Sequence, residues 1–364
     1  MSGEEIILLC NPSAGGRWRQ LAAVLDADET QFVRRVVTDD IDDLGPALAA
    51  MLANAKLVCI YGGDGTIQRM LDTIDRHSHA IERLPPLALL GGGTMNVTSR
   101  WCGMDPSPQR NFHHVVRAYR NSLLDTRELP LLRVEHGDTS HLGFTFGLGP
   151  LVRVLAAYEE GRKGKLAAVG AGVRAVAATW KIGPKSWRST VAPMTATVTI
   201  GETRQPYDRY TAVFSSTTGT VNPSVQPFAR QRTLETFYCL AYAVHPREFA
   251  LAIPLLWRGY LPVDSRALLR PLSTWRQAAL AYFGKGIVPA DPRYVNQTTS
   301  ELTVSTDEPV YTVDGEVFKA QGAPFAVKLG PRVRLVTGPT AGLGPLLSAA
   351  VSVARRTPQR KRPE

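Results

Sequence analysis

Three short apolar runs, Ile6–Cys10, Leu57–Tyr61 and Leu87–Leu90, each end in a loop of glycine and other small residues. The loops are Asn11-Pro12-Ser13-Ala14-Gly15-Gly16, Gly62-Gly63-Asp64-Gly65-Thr66 and Gly91-Gly92-Gly93-Thr94-Met95-Asn96. Short strands that are apolar at every position are buried on both faces, as in parallel sheets covered by helices on each side. Helix-spaced segments lie between them: Leu21–Leu25, Ile41–Ala53, and Thr66–Ile74 with Ile67, Met70, Leu71 and Ile74 on one face. Phe32–Val37 reads as a further strand, closed by Thr38. This alternation predicts an α/β domain over residues 1–128, a doubly wound parallel sheet. The acids Asp39, Asp40, Asp42 and Asp43 suit the positive end of the second helix's dipole better than a metal site.

From about Leu131 the pattern changes. Alternating strands such as Thr195–Ile200, Tyr210–Ser215 and Leu302–Val304 recur between turn residues, which predicts an antiparallel, β-rich, sandwich-like second domain over residues 129–324. One helical interruption is expected at about Lys163–Trp180. Phe325–Leu329 and Val333–Val336 are the last strands, and a basic tail fills residues 355–364.

In a doubly wound sheet the loops at the carboxyl ends of the strands line one crevice. Glycine there admits positive φ and lets backbone N–H groups approach a phosphate. A helix opening at Thr66 aims its positive end at the same anion. One such loop is often only a tight turn; three on consecutive strand ends point to phosphate or nucleotide binding. Neither GxxxxGK[ST] nor a strand-borne GxGxxG is present. The nearest string, Gly170-Ala171-Gly172, lies in a helical, basic region, where close helix packing is the expected reason for it.

The ordered set Asn11-Pro-Ser-Ala-Gly15, Gly62-Gly-Asp-Gly-Thr66, Gly93-Thr-Met-Asn96 and Val313-Asp-Gly-Glu316 resembles the diacylglycerol kinase catalytic-domain superfamily, which includes sphingosine, ceramide and bacterial lipid kinases. The glycine-containing segment from Phe144 to Pro150 is similar to that family as well. The resemblance implies ATP-dependent phosphorylation of a lipid hydroxyl. It implies a cleft between a nucleotide domain and a lipid domain, with residues 325–354 returning to the first. It places ATP on Asn11, Pro12, Ser13, Ala14, Gly15, Thr38, Gly62, Gly63, Asp64, Gly65, Thr66, Ile67, Gln68 and Thr94, and the proton acceptor at Glu316. Gly93 and Asn96 belong to the third of these nucleotide loops. The sequence departs from the family at Arg230-Gln231-Arg232-Thr233-Leu234-Glu235, where bacterial members carry an Asp-Gly pair beside a structural Mg²⁺. A metal there is not expected.

Phosphoryl transfer needs immobilised phosphates, a divalent metal and a proton acceptor. Asp64, between Gly63 and Gly65, suits Mg²⁺ or its waters. Asp314 and Glu316, two apart, face one way if the chain is extended. The roles expected are Glu316 as base, Asp64 on the metal side and Asp314 in support; an isolated Asp-Gly-Glu would instead be read as a hairpin turn with solvated acids. Two rival readings remain. One is a relative of NAD kinase or phosphofructokinase, which share Gly-Gly-Asp-Gly. The other is a nucleotide-binding membrane sensor without turnover.

Charge separates the halves. Residues 1–128 hold 13 basic and 16 acidic side chains, and residues 129–364 hold 29 and 16, so attraction for anions lies in the second part. Arg162–Arg188 alone contains Arg162, Lys163, Lys165, Arg174, Lys181, Lys185 and Arg188, no acid, and Trp180 and Trp187. That composition suits reversible docking on an anionic membrane surface. The competing reading packs Val173, Val176 and Trp180 against the sandwich and leaves the lysines solvated. Phe249–Trp257 with Arg258 and Tyr260, and Leu346–Arg356 with the tail, have similar character. No nucleic-acid module is visible. The uncharged stretch 335–354 is broken by Pro339 and Pro345 and does not read as a spanning helix. Met1–Glu5 lacks the pattern of a signal peptide. Cys10, Cys59, Cys102 and Cys239 form no CxxC and read as reduced thiols. The expectation is a cytoplasmic, peripherally membrane-associated lipid kinase using ATP and Mg²⁺; a homodimer stays open.

Overall fold

The computed structural model describes residues 6–14, 21, 32–78, 81–93, 96–159, 165–219, 227–228, 232–256, 259–262 and 290–339. The described residues fall into two compact units. Unit 1 runs up to Pro130 and resumes at Pro331; unit 2 runs from Leu131 to Gly330. Residues 22–25 of the first expected helix, and the helix expected over 346–356, lie outside the described residues.

Unit 1 is built on parallel strands. β1 (Ile6–Cys10) lies between β2 (Val33–Val37) and β3 (Leu57–Tyr61), and β3 pairs with β4 (Leu87–Leu89). Every residue of β1, β3 and β4 is buried, as uniformly apolar runs require. β2 is the edge, and it carries the exposed Arg34 and Arg35 between its apolar ends. Charged side chains of this kind discourage further strand pairing at an edge. Helix Asp64–Ser78 begins two residues before the expected Thr66, so Asp64 itself sits in the first turn. It buries Ile67, Met70, Leu71 and Ile74, and each such side chain stabilises the fold by roughly 1.5–3 kcal/mol.

Unit 2 is antiparallel. β5 (Thr126–His136) enters it from Leu131 and forms a hairpin with β6 (Thr139–Gly143). β7 (Thr145–Leu148) follows, then β8 (Met194–Ile200), β9 (Thr203–Arg204), β10 (Arg209–Tyr210), β11 (Ala212–Ser216), β12 (Phe237–Tyr242), β13 (Tyr294–Thr299), β14 (Glu301–Thr306), β15 (Val310–Val313), β16 (Glu316–Lys319) and β17 (Phe325–Val336). One sheet has the order β13-β12-β11-β7-β15-β16. Facing it, β10, β8, β14 and the first half of β17 form a second layer, extended by β5 and β6. Alternate residues of both layers make one core, with Val198 and Ile200 of β8, Leu302 and Val304 of β14, and Phe146 and Phe237 from the other sheet. β17 continues into unit 1 at Pro331, where Leu335 pairs in parallel with Leu87.

Helices interrupt unit 2 more often than the sequence suggests. Pro150–Glu159, Lys165–Thr179, Lys185–Thr190 and Pro246–Leu256 are all helical. The last escapes notice because Pro254 sits inside it, and proline normally ends a helix. Among the described residues, Gly170 and Gly172 have no atom within 4 Å of where a Cβ would stand. Close helix packing, the expected reason for these glycines, is therefore not the explanation. All four cysteines are buried and free. No described helix is long and apolar enough to cross a membrane.

Candidate functional site

The three loops of unit 1 are tied to one another through their backbones. Asn11 follows β1 and donates its N–H to the Tyr61 carbonyl at 2.9 Å. Its side-chain oxygen accepts the Ser13 N–H at 3.0 Å, an Asx turn that pre-shapes the loop. The Tyr61 hydroxyl donates to the Ala14 carbonyl at 3.0 Å. Ser13 Oγ donates to Asp39 at 2.8 Å, and the Thr38 N–H reaches the Cys10 carbonyl at 3.0 Å, so the ends of β1 and β2 are held together. Pro12 sits in the same turn.

The second and third loops meet backbone to backbone. The Gly62 carbonyl accepts the N–H groups of Gly92 at 2.8 Å and Gly93 at 3.3 Å. A Cβ on Gly93 would lie 2.6 Å from the Gly63 Cα, and one on Gly62 would overlap the Thr66 side chain. Only glycine allows both approaches. The Gly63 carbonyl then accepts the N–H groups of Thr66 and Ile67 at 3.1 and 3.3 Å and starts the helix. Ile67 and Gln68 point into the fold; the Gln68 amide donates to the Asp72 carboxylate at 2.5 Å. Both therefore support the loop from beneath. Gly65 lies in the same first turn.

Asp64 bridges the two loops. Its carboxylate accepts the Val97 N–H at 3.0 Å and the Thr98 N–H at 3.3 Å, capping helix Val97–Trp101. Burial pushes the carboxyl above its ordinary range, and the Val97 and Thr98 donors and Arg100 offset only part of that. Asn96, in the left-handed region at φ 49°, donates to the Gly93 carbonyl at 2.8 Å. Its Oδ1 is buried and has no hydrogen-bond partner among the described residues. Gly15 and Thr94 lie outside the described residues.

Asp314 and Glu316 belong to unit 2. β15 and β16 form a hairpin whose two-residue turn is Asp314-Gly315, at φ 51° and 88°. That double positive φ is what an Asp-Gly hairpin turn demands. The two acids are thus not on one extended face, and their roles divide. Asp314 turns its carboxylate onto the chain between β6 and β7, accepting the N–H groups of Phe144 at 2.9 Å and Thr145 at 2.8 Å and the Thr145 hydroxyl at 3.0 Å. Glu316 opens β16 opposite Val313 and is half-buried.

Among the described residues no group of three or more His, Cys, Asp or Glu side chains is arranged to hold a metal ion. Arg230 and Gln231 lie outside the described residues. Arg232 donates from Nε to the Thr217 carbonyl at 2.6 Å and from Nη1 to the carbonyl of its neighbour Thr233 at 2.8 Å.

Comparison with known proteins agrees with the loop geometry. Residues 5–124 match the family model of the diacylglycerol kinase catalytic domain. The matched segment lies within unit 1. It contains all three glycine loops and stops before β5, so the match does not reach Asp314 or Glu316. No curated protein sequence matches the chain significantly. A diacylglycerol kinase from Bacillus anthracis str. Sterne superposes with a TM-score of 0.58 at 13% identity, over 94% of this chain and 99% of its own. A second structure from that organism, provisionally assigned as a diacylglycerol kinase, gives 0.61 at 14% identity over the same shares. At such identity the likeness is one of fold, and it extends over both units.

Several residues that shape the site carried no signal in the sequence. Tyr61 reads as the last core residue of a strand, yet its hydroxyl pins the first loop. Ser99 donates to the Leu89 carbonyl at 2.8 Å, and Asn111 to the Leu90 carbonyl at 2.9 Å, and together they fix where the third loop leaves β4.

Proposed function

We propose that the protein is an ATP-dependent lipid kinase that transfers the γ-phosphate to a lipid hydroxyl. The observation that carries this reading is the mutual locking of Gly62-Gly63 and Gly91-Gly92-Gly93 at the ends of β3 and β4, inside the segment that matches the kinase family. In this reading, backbone N–H groups of the loops hold the triphosphate, helped by the positive end of helix Asp64–Ser78. Glu316 takes the proton of the acceptor hydroxyl as its oxygen bonds to the γ-phosphorus, and the bond to ADP breaks. Bound magnesium would neutralise phosphate charge. Asp64 suits an ion held through water, because its two oxygens offer about four acceptor sites and the Val97 and Thr98 N–H groups and the Thr98 hydroxyl do not fill them all. Asp314 positions the turn that carries Glu316.

The test is a transfer assay with labelled ATP and separate diacylglycerol, sphingoid base, ceramide, NAD and sugar-phosphate acceptors. Label in one lipid class supports the proposal. Label in NAD or a sugar phosphate, or nucleotide binding with no transfer to any acceptor, overturns it.

A further inference from the structure

Helix Lys165–Thr179 is turned the opposite way from an ordinary surface helix. Among its described side chains, Ala171 and Ala178, one seven-residue step apart, are buried. Val173, Val176 and Trp180 are spaced by three and four, so they share one face, and they are 63%, 43% and 39% exposed. At about 100° per residue that face lies across the helix from the two alanines. Of the described side chains the small ones are inside and the large apolar ones outside, so the competing reading, which packs this stripe against the sandwich, does not hold.

The turn that ends the helix extends the stripe. Ala177 and Ala178 accept the N–H groups of Ile182 and Lys181 at 3.1 and 2.9 Å, and Lys181 adopts a positive φ of 64° where glycine is usual. The result is a fixed tip that holds Ile182 64% exposed. Arg247 donates to the Thr179 carbonyl at 2.7 Å, bringing in helix Pro246–Leu256. Leu251, one turn beyond Arg247 on the same side, is 71% exposed. Around these apolar groups stand exposed Arg174, Lys181, Lys185 and Arg188, and no acid occurs between residues 170 and 191.

The geometry points to this face of unit 2 as a docking surface for an anionic lipid bilayer, with Ile182 and Trp180 entering the interface and the four basic residues meeting headgroup phosphates. Charge complementarity decides the occupant: the apolar stripe alone would suit a second copy of the chain, but the dense basic rim over residues 174–188, with Glu248 of the neighbouring helix already paired to Arg293, repels its own copy. The inference deepens the lipid-kinase reading without needing it, since it concerns binding and not transfer.

The experiment is co-sedimentation of the full chain with vesicles of phosphatidylcholine alone or with phosphatidylglycerol. Binding is expected only to the anionic vesicles and is expected to weaken with salt. Lys185→Gln and Arg188→Gln should each lower partitioning about fivefold, and Ile182→Ser with Trp180→Ser should lower it at least about tenfold. Leu123→Ser, at an exposed apolar residue of unit 1, should leave it unchanged. Circular dichroism melts establish that each variant is folded. Transfer to a soluble short-chain acceptor should be unaltered by the tip variants, which separates failure of docking from failure of the kinase reading. Equal binding to neutral vesicles, wild-type binding by both sets of variants, or a dimer in sedimentation equilibrium that the tip variants dissolve would overturn the proposal.

Discussion

The Asp314 carboxylate accepts the backbone N–H and the side-chain hydroxyl of Thr145, 169 positions earlier in the chain, at 2.8 and 3.0 Å. The Phe144 N–H joins it at 2.9 Å. An acid that the sequence places beside Glu316 as a chemical partner is, in the fold, the clasp between the β15–β16 turn and the β6–β7 chain. Asp314→Ala removes the acceptor and leaves a residue with a Cβ at φ 51°. The expected loss of stability is roughly 2–4 kcal/mol. Asp314→Asn keeps an acceptor and tolerates the left-handed region, so it should lose about 1 kcal/mol. Thermal melts of the two variants would show the contrast, and equal melting temperatures would remove the clasp.

Glu316→Gln separates chemistry from architecture. The side chain is half-buried at the start of β16, so the fold should persist. If Glu316 is the general base, turnover should fall about 10²–10⁴-fold with nucleotide affinity unchanged. Wild-type turnover in a folded variant would take the base role from Glu316.

Asp64 predicts a pH dependence. Burial raises its folded-state pKa above the ordinary value of 3.8, so the folded state holds the proton more tightly than the unfolded chain. Its contribution is full below that value and is lost as pH climbs through the raised pKa. Asp64→Asn should remove this decline, so the difference in urea midpoint between variant and wild type should shift toward the variant as pH rises from about 4. A difference that is flat with pH would contradict the raised pKa.

Two glycine-to-alanine changes should behave oppositely. Gly93→Ala puts a Cβ 2.6 Å from the Gly63 Cα, where neither backbone can yield, and should lose roughly 1–3 kcal/mol together with nucleotide affinity. Gly170→Ala, in open space within a helix, should be neutral or stabilising by up to about 1 kcal/mol. Urea melts with and without nucleotide would read both.

A partly buried ion pair offers a test of the architecture of unit 2. Arg153 Nε lies 3.2 Å from Glu308 Oε2, and Arg153 also donates to the Ser189 carbonyl at 2.7 Å. Burial pushes the Glu308 carboxyl up and the Arg153 guanidinium down. Arg153→Met strands a buried acid and should lose roughly 3–5 kcal/mol; adding Glu308→Gln should restore part of it. A double variant no more stable than the single one would show that the pair is not coupled.

The order of local signals was enough to reveal the parallel unit, because β1, β3 and β4 are apolar at every position and each ends in glycine or a small-residue loop. The alternation of β8 and β14 likewise announced an antiparallel layer. Those readings rest on periodicity, which a chain carries in itself. The exact glycines mattered for a reason periodicity does not hold: Gly63 and Gly93 are far apart in the chain, and only folding brings one Cα to where the other's Cβ would stand. The same holds for the acids. Residue type marked Asp64, Asp314 and Glu316, but what a carboxylate touches depends on backbone N–H groups delivered by distant segments, Val97 and Thr98 for Asp64, and Phe144 and Thr145 for Asp314. Nor could composition tell which face of helix Lys165–Thr179 is outward, since alanines and large apolar residues both satisfy a helical pattern; the packing of Ala171 and Ala178 inward settles it. Local spacing thus determined the elements and the glycine loops of this protein, while the tertiary structure decided the partners, because hydrogen bonds and steric contacts act across space and not along the chain.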